Sequence, residues 1–249
     1  MPNKSEIINN CKHLLDAYNK GLLNNSKMPE DTNPGLNNLN LETKLVYFTL
    51  PMSLNYQRNS YKLWDAVLNT YNDKETKDIF NITNSAKMSE NNLRLKLMKH
   101  KIAVQPNKHI STWKTISQTI DKNWGSITNL IKHCDSDFLK LKQTIQKDNK
   151  KGFPYLSGPK IFNYWSYILM EYVGIKLKNK EYIEIAPDTH VIQASIKLRV
   201  LSEEEAKKFT IEQISDAWKT LLEGSGISPI EMHSPLWFWS RNNFKIENQ

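Results

Sequence analysis

Along most of the chain the apolar positions recur at spacings of three and four, the period of a helix with one buried face. Ile110, Trp113, Ile116, Ile120 and Trp124 lay one such stripe along about four helical turns. Val191, Ala194, Ser195 and Leu198 lay a shorter one, with Ile192 and Ile196 beside it. The apolar-rich run 161–173 is interrupted by Asn163, Ser166 and Glu171, and it falls short of the roughly 20 residues a membrane span needs. It predicts a buried helix. Ser202-Glu203-Glu204-Glu205 and Thr210-Ile211-Glu212-Gln213 carry the capping-box pattern, in which a hydroxyl and the third-following Glu or Gln satisfy each other's backbone amides. There is no series of alternating strands and no repeat of fixed period, so the expected fold is all-α. Two polar, Asn-rich stretches, 24–40 and 81–92, are expected to be loops.

Composition narrows the class. With 8 Gly, 10 Pro and 2 Cys in 249 residues, collagen-like, low-complexity and disulfide-scaffold chains are excluded. Cys11 and Cys134 cannot supply four thiolates for an iron–sulfur cluster or a four-cysteine zinc site. The histidines show no metal-ligand spacing, so no metal is expected. No secretory h-region opens the chain, and Glu6 and Asp16 are foreign to a transit peptide, which implies an intracellular protein in a reducing compartment.

Charge changes the picture more. The formal net charge is +8, yet residues 94–160 alone hold 14 Lys and Arg against 4 Asp and Glu, a balance of +10. The flanks are slightly acidic. A basic segment of this kind is either a set of solvated helix faces or a surface for a polyanion.

Two segments carry candidate chemistry. Leu156-Ser157-Gly158-Pro159-Lys160 reads as a tight turn opening a helix, with Gly158 expected in an unusual backbone and Pro159 at the first helical position. Free amides and the positive dipole end beside Lys160 suit a phosphate. Twenty-eight positions on stands Pro187-Asp188-Thr189-His190-Val191, where Asp188 precedes a helix as an N-cap does.

Taken together, the turn, the buried helix and the Asp188 segment resemble the helix-hairpin-helix DNA glycosylase superfamily. Leu50-Pro51-Met52-Ser53-Leu54-Asn55-Tyr56-Gln57-Arg58 is similar, more weakly, to that family's helix ending in a Gln that enters the duplex. The resemblance spans about 45–201. It implies two helical subdomains with a DNA-binding cleft, a central one of about 45–174 ending in the hairpin and a second built from 1–44 and 175–249. It further implies that the hairpin at Ser157 and Gly158 binds backbone phosphates, that Gln57 and Arg58 meet the DNA, and that Asp188 is the catalytic carboxylate. The chain departs from the family's Leu-Pro-Gly-x-Gly-x-Lys hairpin, because Lys160 replaces the second glycine. In the strict register the Schiff-base lysine of bifunctional members falls on Phe162, implying a monofunctional enzyme that activates water. In the altered register of the archaeal 8-oxoguanine glycosylases, which is favoured here, Lys160 is the nucleophile.

The resulting expectation is a monomeric base-excision enzyme, in the nucleoid or a nucleus, acting on double-stranded DNA with a damaged base. The damaged base is 8-oxoguanine in the leading reading, and strand nicking proceeds through a Schiff base on Lys160. Trp237 and Trp239 are candidates for the wall of a base pocket, and His190 for ordering the Asp188 turn. No membrane and no cofactor are expected beyond an alkali cation that family members hold on hairpin carbonyls. The alternatives are a monofunctional alkylpurine glycosylase using Asp188 and water, and a non-catalytic DNA-binding protein in which Asp188 is only a cap.

Overall fold

Helix boundaries follow the caps. Asn40, Asn59, Asn81, Ser89, Ser126, Asp137, Asp188, Ser202 and Thr210 each accept an amide from the first turn of the helix they precede. Each satisfies a donor that a helix start leaves without an internal partner. The computed structural model describes residues 3–23, 28–32 and 36–247. In chain order the helices are α1 Lys4–Asn19, α2 Leu41–Leu54, α3 Ser60–Asn72, α4 Ile82–Lys87, α5 Glu90–Lys99, α6 Pro106–Asn123 and α7 Ile127–His133. They continue with α8 Phe138–Gln143, α9 Pro159–Glu171, α10 Thr189–Lys197, α11 Glu203–Lys208, α12 Ile211–Leu222 and α13 His233–Arg241. Among the described residues there is no strand, only an isolated bridge between Asp137 and Lys178, and the fold is all-α.

The chain divides into two compact units, Pro29–Lys178, and the terminal segments Met1–Met28 and Asn179–Gln249 taken together. The first unit extends beyond the expected 45–174 for physical reasons. The short turn Pro29–Thr32 packs on α3, and the Lys178 amide and carbonyl bond to Ser136 and Phe138.

Within that unit α2 is the centre. Residues 45 to 54 of it are all buried, and α3, α6, α7 and α9 pack around it. A helix apolar on every side has no amphipathic period, which is why the sequence pattern does not single it out. Its first-turn Glu42 leaves the core and accepts the Ile127 and Thr128 amides, each at 2.8 Å, holding the start of α7.

The stripe from Ile110 is buried as expected, although α6 begins earlier, at Pro106, and Trp124 stands just beyond its end. Both capping boxes form. The 81–92 loop does not. Asn81 and Ser89 are N-caps, and Ile82, Ser85 and Ala86 turn inward from α4 onto α6. Of the 24–40 stretch, the described residues hold two short 3₁₀ turns, Pro29–Thr32 and Leu36–Asn38. Residues 24–27 and 33–35 lie outside the described residues.

Three buried tryptophans are satisfied in one way. Trp165 Nε1 of α9 donates to Thr49 Oγ1 at 2.9 Å, and that hydroxyl donates to the Leu45 carbonyl of α2. Trp113 of α6 donates to Ser85 Oγ at 3.1 Å, which donates to the Ile79 carbonyl. In the other unit Trp218 of α12 donates to Ser195 Oγ at 2.9 Å, and Ser195 donates to the Val191 carbonyl of α10. Each relay lets a large ring pack without stranding its N–H in an apolar core.

Glu30 is the deepest carboxyl, 2% exposed. Burial pushes it up to about 7, with the Tyr164 and Trp64 side chains favouring the charged form and Asp31 opposing it.

Two stability measurements follow. Thr49→Val keeps the shape but removes the acceptor for Trp165, and urea unfolding should show a loss of about 1 to 3 kcal/mol. Pairing it with Trp165→Phe should give less than the sum of the two single losses, and strict additivity would refute the relay. For Glu30 the folded carboxyl titrates near 7 and the unfolded one near 4.5. Because the folded state holds the extra proton between these values, stability falls as pH rises through that window, by up to about 3 kcal/mol. Glu30→Gln should abolish this fall, and a pH profile equal to that of the parent would refute the assignment.

Candidate functional site

In the Pro29–Lys178 unit, α8 continues through a π-helical turn, Thr144–Asp148, and a 3₁₀ turn, Lys150–Gly152, into the segment 153–158 that opens α9. Phe153 and Leu156 are fully buried and fix this turn to the core. The Ser157 amide donates to the Phe153 carbonyl, Leu156 to Pro154 and Gly158 to Tyr155. The unusual backbone expected at Gly158 falls on Tyr155 instead. Gly158 has φ −67°, open to any residue, whereas Tyr155 has φ +61°. Glycine suits position 158 for space, since an added Cβ would stand 3.1 Å from the Tyr155 carbonyl oxygen. Ser157 is buried, its hydroxyl 3.5 Å from the Lys150 carbonyl.

No side chain caps α9, and Pro159 occupies its first position, so first-turn amides are left for an outside acceptor. Lys160 is exposed on that turn, and Phe162 is fully buried. An alkali cation on the turn would have to share the carbonyls of Phe153, Pro154 and Tyr155, each of which already accepts an amide.

The loop after α2 comes to the same turn. Tyr56 stacks on Tyr155, ring centroids 5.1 Å apart and tilted by 33°. Gln57 is exposed with φ +49°. Arg58 is held inward, its Nη atoms donating to the carbonyls of Lys101, at 3.0 Å, and Ile102. Burial lowers the Arg58 pKa. The structure therefore makes Arg58 the tie between two loops, with one N–H of each Nη committed to a carbonyl. Behind it His109 is buried, and its Nδ1 accepts the Val104 amide at 3.2 Å. Burial, with the charges of Arg58 and Lys108, brings its pKa down to about 4.

The basic segment is not uniform. Lys96 pairs with Asp78, Lys99 with Asp73 and Glu75, and Lys140 with Asp135. Lys122, Lys147, Lys150 and Lys151 instead line a cavity of about 690 Å³ between α6 and the π-turn. Among the described residues none of these four forms an ion pair, and the one carboxylate there, Asp148, accepts from Gln143. Gly152 permits the close approach to α6, since a Cβ would lie 2.6 Å from the Thr119 methyl.

In the unit formed by the terminal segments, Pro187 is buried and Asp188 half-buried. Asp188 Oδ1 accepts the Val191 amide at 2.9 Å, the predicted N-cap. That is the one hydrogen bond of its side chain among the described residues, and no basic side chain pairs with it. His190 Nδ1 lies 3.2 Å from Ser240 Oγ and its ring meets Trp237 edge-on at 5.5 Å, tying α10 to α13 just past Asp188. The Arg241 guanidinium covers the Trp237 ring at 4.5 Å. Trp239 points elsewhere, packing edge-on against Phe244. Of the two tryptophans, the fold thus links only Trp237 to the Asp188 segment. Lys160 and Asp188 belong to different units.

Sequence reading assigned no role to Tyr56 or Lys108, and it treated the basic segment as one charge run. The nearest sequence signal was Tyr56 immediately before Gln57 at the end of an apolar helix. No family model, curated protein or solved structure matches the chain.

The uneven pairing has a direct test. Changing Lys147, Lys150 and Lys151 together to Gln should lower the salt needed to elute the protein from heparin markedly more than changing Lys96, Lys99 and Lys140, since only the first set is unpaired. Equal shifts for both triple variants would show that pairing does not decide which lysines meet a polyanion.

Proposed function

We propose that the chain is a DNA glycosylase of the helix-hairpin-helix kind, which removes a damaged base, 8-oxoguanine in the leading reading. The observation that carries this is Asp188: a half-buried carboxylate with one oxygen on a cap and, among the described residues, no ion pair. Breaking an N-glycosidic bond leaves positive charge on the sugar, and a fixed carboxylate stabilises that charge. The uncapped start of α9 and the unpaired lysines supply donors for backbone phosphates. The target base must leave the stack, at a cost of a few kcal/mol that damage lowers.

Two routes finish the reaction. In the bifunctional route the Lys160 amine attacks C1′ of the sugar, expels the base and becomes a Schiff base, from which the 3′ phosphate is eliminated. In the monofunctional route Asp188 orients a water that attacks the same carbon. The exposure of Lys160 and the burial of Phe162 favour this second route, because an attacking amine must be neutral and burial is the usual means of making it so.

Asp188→Asn separates chemistry from capping, since asparagine keeps an oxygen for the Val191 amide and removes the charge. On duplexes carrying 8-oxoguanine or alkylated purines, base release should fall about a hundredfold or more while the melting temperature holds. Unchanged release would show Asp188 to be a cap alone. Borohydride added to the same reactions traps a covalent adduct in the bifunctional case only, and the adduct must vanish in Lys160→Ala. DNA binding with no base release on any lesion would favour a non-catalytic DNA-binding protein.

A further inference from the structure

Three turns near the hairpin hold non-glycine residues in the left-handed region: Gln57 at φ +49°, Lys101 at +64° and Tyr155 at +61°. Such conformations cost of order 1 kcal/mol each and persist where the surroundings over-determine them. Here the surroundings are visible. Arg58 locks the first turn to the second through the carbonyls of Lys101 and Ile102, and Tyr56 locks the first to the third by stacking on Tyr155. The product of this bracing is an aromatic pair whose outer ring is open to solvent, for Tyr56 is 39% exposed while Tyr155 is half-buried. A ring that served only the core would be covered.

The charge around the pair is positive. Lys108 Nζ stands 5.9 Å from the centre of the Tyr56 ring. Arg58, Lys62 and Lys101 line a neighbouring cavity of about 360 Å³ in which Asp65 is the only carboxylate. His109, buried beneath with Nε2 unpartnered, is held neutral at physiological pH and adds no charge of its own. An open aromatic surface flanked by cations matches one chemistry well: a flat base to stack on the ring and a phosphate to meet the lysine.

We propose that Tyr56 and Tyr155 form a stacking platform for a base displaced from a DNA duplex, with Lys108 holding an adjacent phosphate. This rests on the nucleic-acid reading above and adds a contact distinct from Lys160 and Asp188. The platform accepts any base, because every base has a face on which an aromatic ring can stack.

The test compares duplexes carrying one extrahelical base with the same duplexes bearing a tetrahydrofuran residue there, which keeps the backbone and lacks the base. Tyr56→Ala should weaken binding to the first by about five- to a hundredfold and to the second by about twofold or less, while Tyr56→Trp keeps the discrimination. Tyr155→Gly, which removes the second ring and relieves the backbone at φ +61°, should lose the discrimination as well. A loss confined to the duplex that carries the base, with the tetrahydrofuran duplex bound as before, is not expected of a merely structural tyrosine. Equal losses on both duplexes, or none on either, would overturn the platform while leaving the glycosylase reading standing if bases are still released. Failure of the parent protein to bind any duplex at low salt would remove both.

Discussion

Three buried tryptophan N–H groups, those of Trp113, Trp165 and Trp218, constrain how pairs of elements pack in this molecule. A ring of that size brings the area a core needs, but it also brings a donor that costs about 1 to 3 kcal/mol if it is left alone in an apolar interior. The chain answers with Thr49, Ser85 and Ser195, each a hydroxyl that accepts from the ring and donates back to a carbonyl of the backbone. Because donor and acceptor sit on different elements, each relay sets the approach of two elements as well as satisfying a group. The Trp165 relay sets α9 on α2, and the Trp218 relay sets α12 on α10.

Those two helices carry the candidate chemistry at their N-termini. α9 opens with the hairpin turn and Lys160, and α10 opens with Asp188. In both, the packed body of the helix lies in a core while its first turn reaches solvent. A side chain there is oriented by the rigid element behind it, and its polar end remains available. The two starts differ in what they leave unmade. At α9 the amides lack a side-chain cap, which suits an anion, whereas at α10 the amide is satisfied and the carboxylate lacks a cation, which suits a developing positive charge.

How much of this the sequence disclosed depended on which physical signal each element carried. The α6 stripe, the two capping boxes and the Asp188 cap were legible because each is a local pattern with a local cause. α2 was not, since a helix buried on all sides has no periodic face to detect. The stretch 81–92 was misread because its asparagines were counted as loop formers, when Asn81 acts at the one helical position where asparagine is preferred. Gly158 drew the expectation of an unusual backbone by its identity, yet the turn places the left-handed conformation on Tyr155, a residue whose sequence context gives no hint of it. The pairing state of the lysines depends on which acids the fold brings near, and no one-dimensional count reveals it.

That last point sharpens the meaning of the net charge. Lys96, Lys99 and Lys140 are compensated locally by Asp78, Asp73, Glu75 and Asp135, so little of their field reaches beyond the surface. Lys122, Lys147, Lys150 and Lys151 line one cavity with Asp148 and, among the described residues, form no ion pair, so their charge stays open to solvent. Asp188 likewise forms no ion pair among the described residues, its side chain being engaged only by the Val191 amide. The lysines that the fold leaves without an acid are thus the part of the basic segment whose field reaches solvent, and the position of the net charge is read from them and not from the count over 94–160.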